Sequence, residues 1–257
     1  MISLRYNNAQ PVLRRPMDLK FAQQYERRYR THWWFRARES LLKNALKNIH
    51  FATSPAILDV GCGNGLGFEM LDPIGDAEGV EGDSNIVSPD GPNASRIFVG
   101  DFVSDYTPDK RFDLITMFDV LEHFENRAAV LEKIRTLLNP GGRLLLSVPA
   151  LPWVWTHHDD LNHHYIRYTK QSLRNELLSE GFSETSLEYH FTWLVPVKFL
   201  FRMKERIMTS SSDSMEVPAP WFNKTLYTLA RLEQQFFTLK APAPVGTSIV
   251  GIFETGQ

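Results

Sequence analysis

Residues 57–67 read Ile-Leu-Asp-Val-Gly-Cys-Gly-Asn-Gly-Leu-Gly, "ILDVGCGNGLG". Ile57, Leu58 and Val60 suit a strand buried on both faces, which reads as a near-continuous apolar run. Glycine at 61, 63, 65 and 67 cannot continue that strand, so the chain must break into a tight turn. Without Cβ atoms there, a ligand can approach the main chain closely, and a helix starting near Phe68 would point free N–H groups at it. A nucleotide-like ligand is the first expectation.

Further along, short apolar runs recur at "AEGVEGD" (77–83), "RIFVGD" (96–101), "FDLITMFD" (112–119) and "RLLLSVP" (143–149), separated by turn residues or helical patterns. Strand alternating with helix predicts an α/β fold with a mostly parallel sheet. The clearest helix is "RAAVLEKIRTLLNPGG" (127–142), with Val130, Leu131, Ile134, Leu137 and Leu138 on one face and Asn139, Pro140 and Gly141 stopping it. After Pro149, "LPWVWTHHDDLNHHYIRYT" (151–169) fits neither period and is expected to form loop and short helix, the kind of segment on which function often lies. A helix at "KQSLRNELLSEGF" (170–182) and a strand at "TSLEYH" (185–190) follow. The stretch "FTWLVPVKFLFRMKERIM" (191–208) is apolar first and basic later, and Pro196 argues against one continuous helix through it. A polar insertion, "TSSSDSMEVPAP" (209–220), precedes a helix at "NKTLYTLARLEQQFFTL" (223–239) and a last apolar run at "GTSIVGIFET" (246–255). On the N-terminal side, residues 17–49 alternate charge with aromatic and leucine positions at helical spacing, which predicts two helices meeting near Thr31 and Trp33. The expected division is an N-terminal helical extension over 1–50 and a main domain over 51–257 with an inserted substrate cap near 191–240.

The chain of 257 residues, 43% hydrophobic, can bury a substantial core. Its 28 Lys and Arg against 30 Asp and Glu leave a net charge of -2, so no global basic field invites nucleic acid. Cys62 is the single cysteine and has no partner for a disulfide or a cysteine-rich zinc site, which points to a reducing, cytoplasmic setting. The first 20 residues lack the apolar core of a signal peptide, and no stretch supplies the roughly 20 apolar residues of a spanning helix.

Parallel α/β sheets bind ligands beyond the carboxyl ends of their strands. The first strand ends in Asp59 and the glycines, and the second in Glu81, which can accept both hydroxyls of a ribose. The third ends in Gly100-Asp101-Phe102, an acceptor beside a ring able to flank a base, and the fourth in Asp119. The dinucleotide fingerprint G-x-G-x-x-G fails, because its last position falls on Leu66 counted from Gly61 and on Phe68 counted from Gly63. Asp59, two residues before the first glycine, suits a ligand carrying positive charge rather than a diphosphate.

The run "ILDVGCGNGLG … GVEGD … VGDF … FDLITMFDVLEHF … LLNPGGRLLLSVP" resembles, in order and spacing, the class I S-adenosylmethionine-dependent methyltransferases, from about Ile57 to Pro149. The resemblance implies a Rossmann-like seven-stranded sheet with an antiparallel last strand at "TSIVGIFET" (247–255). It implies a glycine turn (Gly61, Gly63, Gly65) beneath the methionine and ribose, Glu81 on the ribose hydroxyls, Asp101 on the adenine amine with Phe102 beside it, and Asp119 near the cofactor. The flanks "THWWFRARESLL", "HDDLNHHYIRYTKQSL" and "PAPVGTSIVGIFE" resemble a bacterial subgroup with His-Trp-Trp before the fold and an Asp, His, Arg, Tyr array after strand five. In such sequences two arginines follow the histidine, whereas here Ile166 takes the first arginine position, which removes one cationic contact.

For the chemistry, Asp159 and His164 are the preferred acid/base pair, His123 is the competing base, and Arg167 and Tyr168 are expected on the acceptor. The histidine-rich loop carries no HExxH pattern or thiolate, so no metal is expected. Asp83 reads as a turn residue, and Trp33 and Trp34 as packing residues with a cofactor lid as the alternative. The expected activity is methyl transfer, with O-methylation favoured, to a small-molecule, sugar or lipid-linked acceptor. A non-catalytic S-adenosylmethionine-binding scaffold is the rival reading, and the polar array after Pro149 argues against it. Strand four ends in "DVLE" and lacks the Asn-Pro-Pro-Tyr-like tetrad of base N-methylation. Peripheral membrane contact at 191–207 would require basic and apolar faces to segregate.

Overall fold

The computed structural model describes residues 26–207, 217–240 and 242–256. The polar N-terminal segment, the start of the first N-terminal helix and most of the polar insertion at 209–220 lie outside the described residues.

Seven strands form one sheet: β1 (Ala56–Val60), β2 (Asp76–Glu81), β3 (Ile97–Val99), β4 (Phe112–Phe118), β5 (Leu138–Pro149), β6 (Phe182–His190) and β7 (Ser248–Thr255). Their order across the sheet is β3-β2-β1-β4-β5-β7-β6. Strands β1 to β5 are parallel, and β7 runs antiparallel between β5 and β6. From β1 the chain first builds outward through β2 and β3, then returns to start β4 on the other side of β1. That reversal opens a crevice at the carboxyl ends of β1 and β4, where the glycine turn and Asp119 lie.

Side chains alternate between the two faces, as strand geometry requires. Ile57, Leu114 and Leu145 face one helical layer together with Leu42 and Ala230, while Leu58, Ile115, Met117 and Leu146 face the other with Val130, Leu131, Leu173 and Leu177. The first layer contains α1 (Trp33–Lys47), the single turn α2 (Phe68–Leu71) and α7 (Pro220–Lys240); the second contains α3 (Arg127–Leu137) and α5 (Lys170–Ser179). A short α4 (His157–Leu161) sits in the loop after β5, and α6 (Leu194–Ile207) follows β6.

The two N-terminal helical stretches meet at His32, whose Nδ1 accepts the Trp34 N–H at 3.2 Å as an N-cap. The α1 start is also held from the far end of the sequence. Asn223 of α7 accepts the Trp33 N–H and donates to the Thr31 carbonyl, both at 2.8 Å, so one amide satisfies a donor that a helix start leaves orphaned.

Three expectations are corrected. α6 is continuous despite Pro196, because the proline is its third residue and the missing N–H belongs to the first turn, where it has no helical partner. β6 begins at Phe182, three residues earlier than expected. Strand β5 starts at Leu138, directly at the end of α3 and five residues before the expected Arg143: pairing jumps from Phe112 with Leu138 to Leu114 with Arg143, so Leu138 belongs to the strand rather than the helix face and Asn139 to Gly142 bulge out of the ladder.

Candidate active site

The glycine turn is shaped by contacts that no side chain could share. Gly61 has φ +73, and a Cβ there would lie 2.5 Å from Val120 Cγ2; Gly61 N–H donates to Val80 O at 2.8 Å. Gly63 differs: its φ is +58, but among the described residues the only atom within 4 Å of a hypothetical Cβ is Ile86 Cγ2 at 3.7 Å. The turn is therefore closed by protein at Gly61 and open at Gly63, the cradle a ligand would fill. Gly65 abuts Asn93, whose amide donates to the Gly65 carbonyl at 3.0 Å.

Asp59 is buried beneath this turn, accepts from Thr116 Oγ1 at 2.7 Å, and has its acidity weakened by burial, with its pKa pushed up to about 7. Glu81 also titrates above the usual carboxylate range, chiefly through burial. Its Oε2 accepts the Gly63 N–H and its Oε1 the Asp83 N–H, both at 2.9 Å, so the carboxylate ties the end of β2 to the open glycine. Asp83 is a turn residue, accepting from the Asn85 N–H and side-chain amide.

Asp101 is exposed after β3, and its Oδ1 accepts from Val103 N–H, Ser104 N–H and Ser104 Oγ, which leaves Oδ2 for an incoming amine. The Phe102 ring turns into the core and stacks on Tyr106 at 6.2 Å, so it does not stand at the surface beside Asp101 as expected. Asp119 adopts φ +57 at the end of β4. It accepts from Ser147 Oγ at 2.9 Å and pairs with Arg38 Nε of α1 at 2.6 Å. Arg38 itself is buried and stands over the rings of Trp34 and Phe118.

The loop after β5 brings Asp159, His164 and Arg167 into one constellation. Asp159 is fully buried; its Oδ1 lies 2.8 Å from His164 Nδ1 and accepts from Arg167 Nε at 2.7 Å, while Oδ2 accepts the Thr156 N–H. Burial alone would raise the Asp159 pKa, but the His164 hydrogen bond and the Arg167 charge outweigh it and hold the carboxyl well below the usual range. With Nδ1 committed to Asp159, His164 turns Nε2 toward Glu122, 4.0 Å away, and its ring meets that of His123 edge to face at 4.8 Å between centroids. Glu122 is fully buried and, among the described residues, neither carboxyl oxygen has a hydrogen-bond partner; burial first and Asp119 second push its pKa well up. Glu122, His123 and His164 hold ligand-type atoms within 4.8 Å of one another.

Two expected acceptor contacts are placed elsewhere. Arg167 is committed to Asp159 and to the Ala150 carbonyl at 2.8 Å, and Tyr168 is wholly buried in the core. Trp33 packs on Trp193 at 5.5 Å between ring centroids. Sequence reasoning passed over Glu122, although it stands beside His123, and Arg38, although a cation at core spacing with Leu41 and Leu42 signals a buried acid partner.

The architecture, with its crevice at β1 and β4 and its last strand reversed, is that of the class I S-adenosylmethionine-dependent methyltransferases. A family model described as "Methyltransferase domain" matches residues 22–188, and the chain belongs to that family. A probable S-adenosylmethionine-dependent methyltransferase of Mycolicibacterium smegmatis is 24% identical over 219 residues, 82% of this chain and 83% of that one. The ubiquinone biosynthesis O-methyltransferase of Aeromonas salmonicida is 32% identical over 111 residues, 35% of this chain and 42% of its own. Among solved structures, phosphoethanolamine N-methyltransferase 2 of Haemonchus contortus, in complex with phosphomonomethylethanolamine and S-adenosylhomocysteine, superposes with a TM-score of 0.59 at 14% identity, over 94% of this chain and 59% of that one. The protein is an S-adenosylmethionine-dependent methyltransferase, and S-adenosylmethionine is its cofactor.

Proposed function

We propose that this enzyme methylates a hydroxyl oxygen on a small-molecule, sugar or lipid-linked acceptor, and that His164 takes the acceptor's proton. The observation that carries this reading is the 2.8 Å contact between His164 Nδ1 and buried Asp159, which fixes the tautomer with a basic Nε2. The local similarity to ubiquinone biosynthesis O-methyltransferases supports oxygen as the nucleophile.

S-adenosylmethionine supplies, when bound, a methyl group on a cationic sulfur that leaves as a neutral thioether once the acceptor oxygen has bonded the methyl carbon. We assign its cradle to Asp59, Gly61, Gly63 and Gly65, its ribose to Glu81, its base to Asp101 with the main chain at Phe102, and its vicinity to Asp119. Arg167 is a positioning residue in this reading, because it acts through Asp159. Segments α6 and α7 serve as the cap over the acceptor, and the single cysteine fits a cytoplasmic setting.

His164→Ala is expected to leave S-adenosylhomocysteine affinity within about threefold while transfer falls by roughly 100-fold or more, the size of a lost general base. A large loss in His123→Ala with none in His164→Ala would move the base to His123; no loss in either would overturn the acid/base reading. A second reading is favoured by the ligating atoms of Glu122, His123 and His164: the same cluster suits a first-row divalent cation. Turnover abolished by chelation and restored by Co²⁺ with visible d–d bands would select it.

A further inference from the structure

Among the described residues that α1 buries, Arg38 alone carries a charge. Burying a cation is costly unless an acid meets it, and the acid here is Asp119, whose Oδ2 lies 2.6 Å from Arg38 Nε. The guanidinium also reaches Ser147 Oγ at 3.4 Å, and its charge bears on Asp59 and Glu122. A helix ahead of the sheet thus sets one positive charge among the acids at the carboxyl ends of β1 and β4.

At Asp119 that charge acts on shape. The φ of +57 is left-handed, a conformation that residues other than glycine adopt at a cost and keep only where several contacts fix them. The Asp119 N–H donates to the Ser147 carbonyl at 2.9 Å, Oδ1 accepts from Ser147 Oγ at 2.9 Å, and Oδ2 meets Arg38. Ser147 lies on β5, in register with Phe118 of β4, so the first two contacts come from inside the sheet. Arg38 supplies the hold from outside it.

Both halves of the site hang on this residue. Val120, the next in the chain, closes one side of the glycine turn, its Cγ2 2.5 Å from where a Gly61 Cβ would lie. Leu121, Glu122 and His123 then form a single helical turn; the Glu122 carbonyl accepts the Tyr165 N–H at 2.8 Å, and the His123 ring meets that of His164. A change of φ at Asp119 would shift Val120 against Gly61 and the 121–123 turn against the loop after β5 at once. We propose that Arg38 is a positioning residue for methyl transfer: acting through Asp119, it holds the turn after β4 that borders the glycine cradle on one side and the acid/base cluster on the other. This role rests on the cofactor cradle assigned above, and it is independent of the acceptor and of which histidine takes the proton. It gives the N-terminal helix, tied to α7 through Asn223, a share in the site.

Arg38→Met keeps the apolar stem and removes the charge, Arg38→Lys keeps the charge without the planar fork, and Arg38→Ala leaves room for free guanidinium. S-adenosylhomocysteine binding is read by calorimetry well below each variant's melting temperature, and amide exchange is read by mass spectrometry on the same full-length protein. Arg38→Met is expected to weaken binding at least about tenfold and to speed exchange at 119–123 and 61–65, beyond α1 itself. Arg38→Lys should stay within about threefold of wild type, and about 10 mM guanidinium should return at least about threefold of the affinity lost in Arg38→Ala. If Arg38→Met does not fold, Arg38→Gln takes its place with the same expectations. Unchanged affinity with faster exchange confined to α1 would make Arg38 a stability residue and overturn the proposal, as would equal losses in the Met and Lys variants with no guanidinium rescue. Gly63→Val, measured alongside, keeps the two readings apart: normal binding there sinks the cradle itself, whereas abolished binding there with normal binding and exchange in Arg38→Met counts against Arg38 alone.

Discussion

At Gly63, a residue's worth is set by what is missing. Its positive φ disfavours any β-branched side chain, and the space its Cβ would enter is bounded only by Ile86 at 3.7 Å. Gly63→Val is therefore expected to abolish binding of both S-adenosylmethionine and S-adenosylhomocysteine in calorimetry. Glu81→Ala should cost roughly 1.5 to 3 kcal/mol of cofactor binding, through lost charge-assisted acceptors and through release of the Gly63 N–H it holds. Titration of Asp59 supplies a third expectation. Its pKa is raised from 3.8 to about 7 in the folded chain, so the folded state holds a proton there that the unfolded chain has released. The stabilisation is full below about pH 4 and is lost as pH rises through about 7. Asp59→Asn should then flatten that slope and raise the melting temperature of the cofactor-free protein at pH 8. An unchanged pH profile would show that Asp59 ionises as it does in the unfolded chain.

Among the elements, the strands were legible because buried parallel strands read as unbroken apolar runs, each closed by an acid or a glycine. Asp59, Glu81, Asp101 and Asp119 each stand at or beside a strand's carboxyl end, where their spacing in the chain put them. What the sequence left hidden depends on contacts between distant segments. Residues 122 and 164 meet only because β5 carries the chain the length of the sheet before the loop turns back. Tyr168 and Phe102 sit in polar stretches, and nothing local tells which ring turns inward. Pro196 misleads because a proline stops a helix in its interior but not in its first turn. The seam between α1 and α7 was equally hidden, and it can be tested: Asn223→Ala removes both the Trp33 cap and the Thr31 bond. The variant should lose about 1 to 2 kcal/mol in urea unfolding, with faster amide exchange at Trp33.

For the molecule as a whole, the position of β7 sets a condition on how the chain is made. It enters the sheet between β5 and β6, and among the described residues β6 pairs with no other strand. On the ribosome every other strand emerges before it, so the sheet waits with the inner edge of β5 open and β6 without a seat until residues 248–255 arrive. Open edges of that kind recruit other chains. A nascent chain arrested before Thr247 should accordingly stay protease-sensitive and bind chaperones, and adding the last strand as a separate peptide should not rescue it unless the peptide can displace the contacts made meanwhile. Closure of the sheet is thereby coupled to the arrival of β7, a checkpoint written into strand order alone.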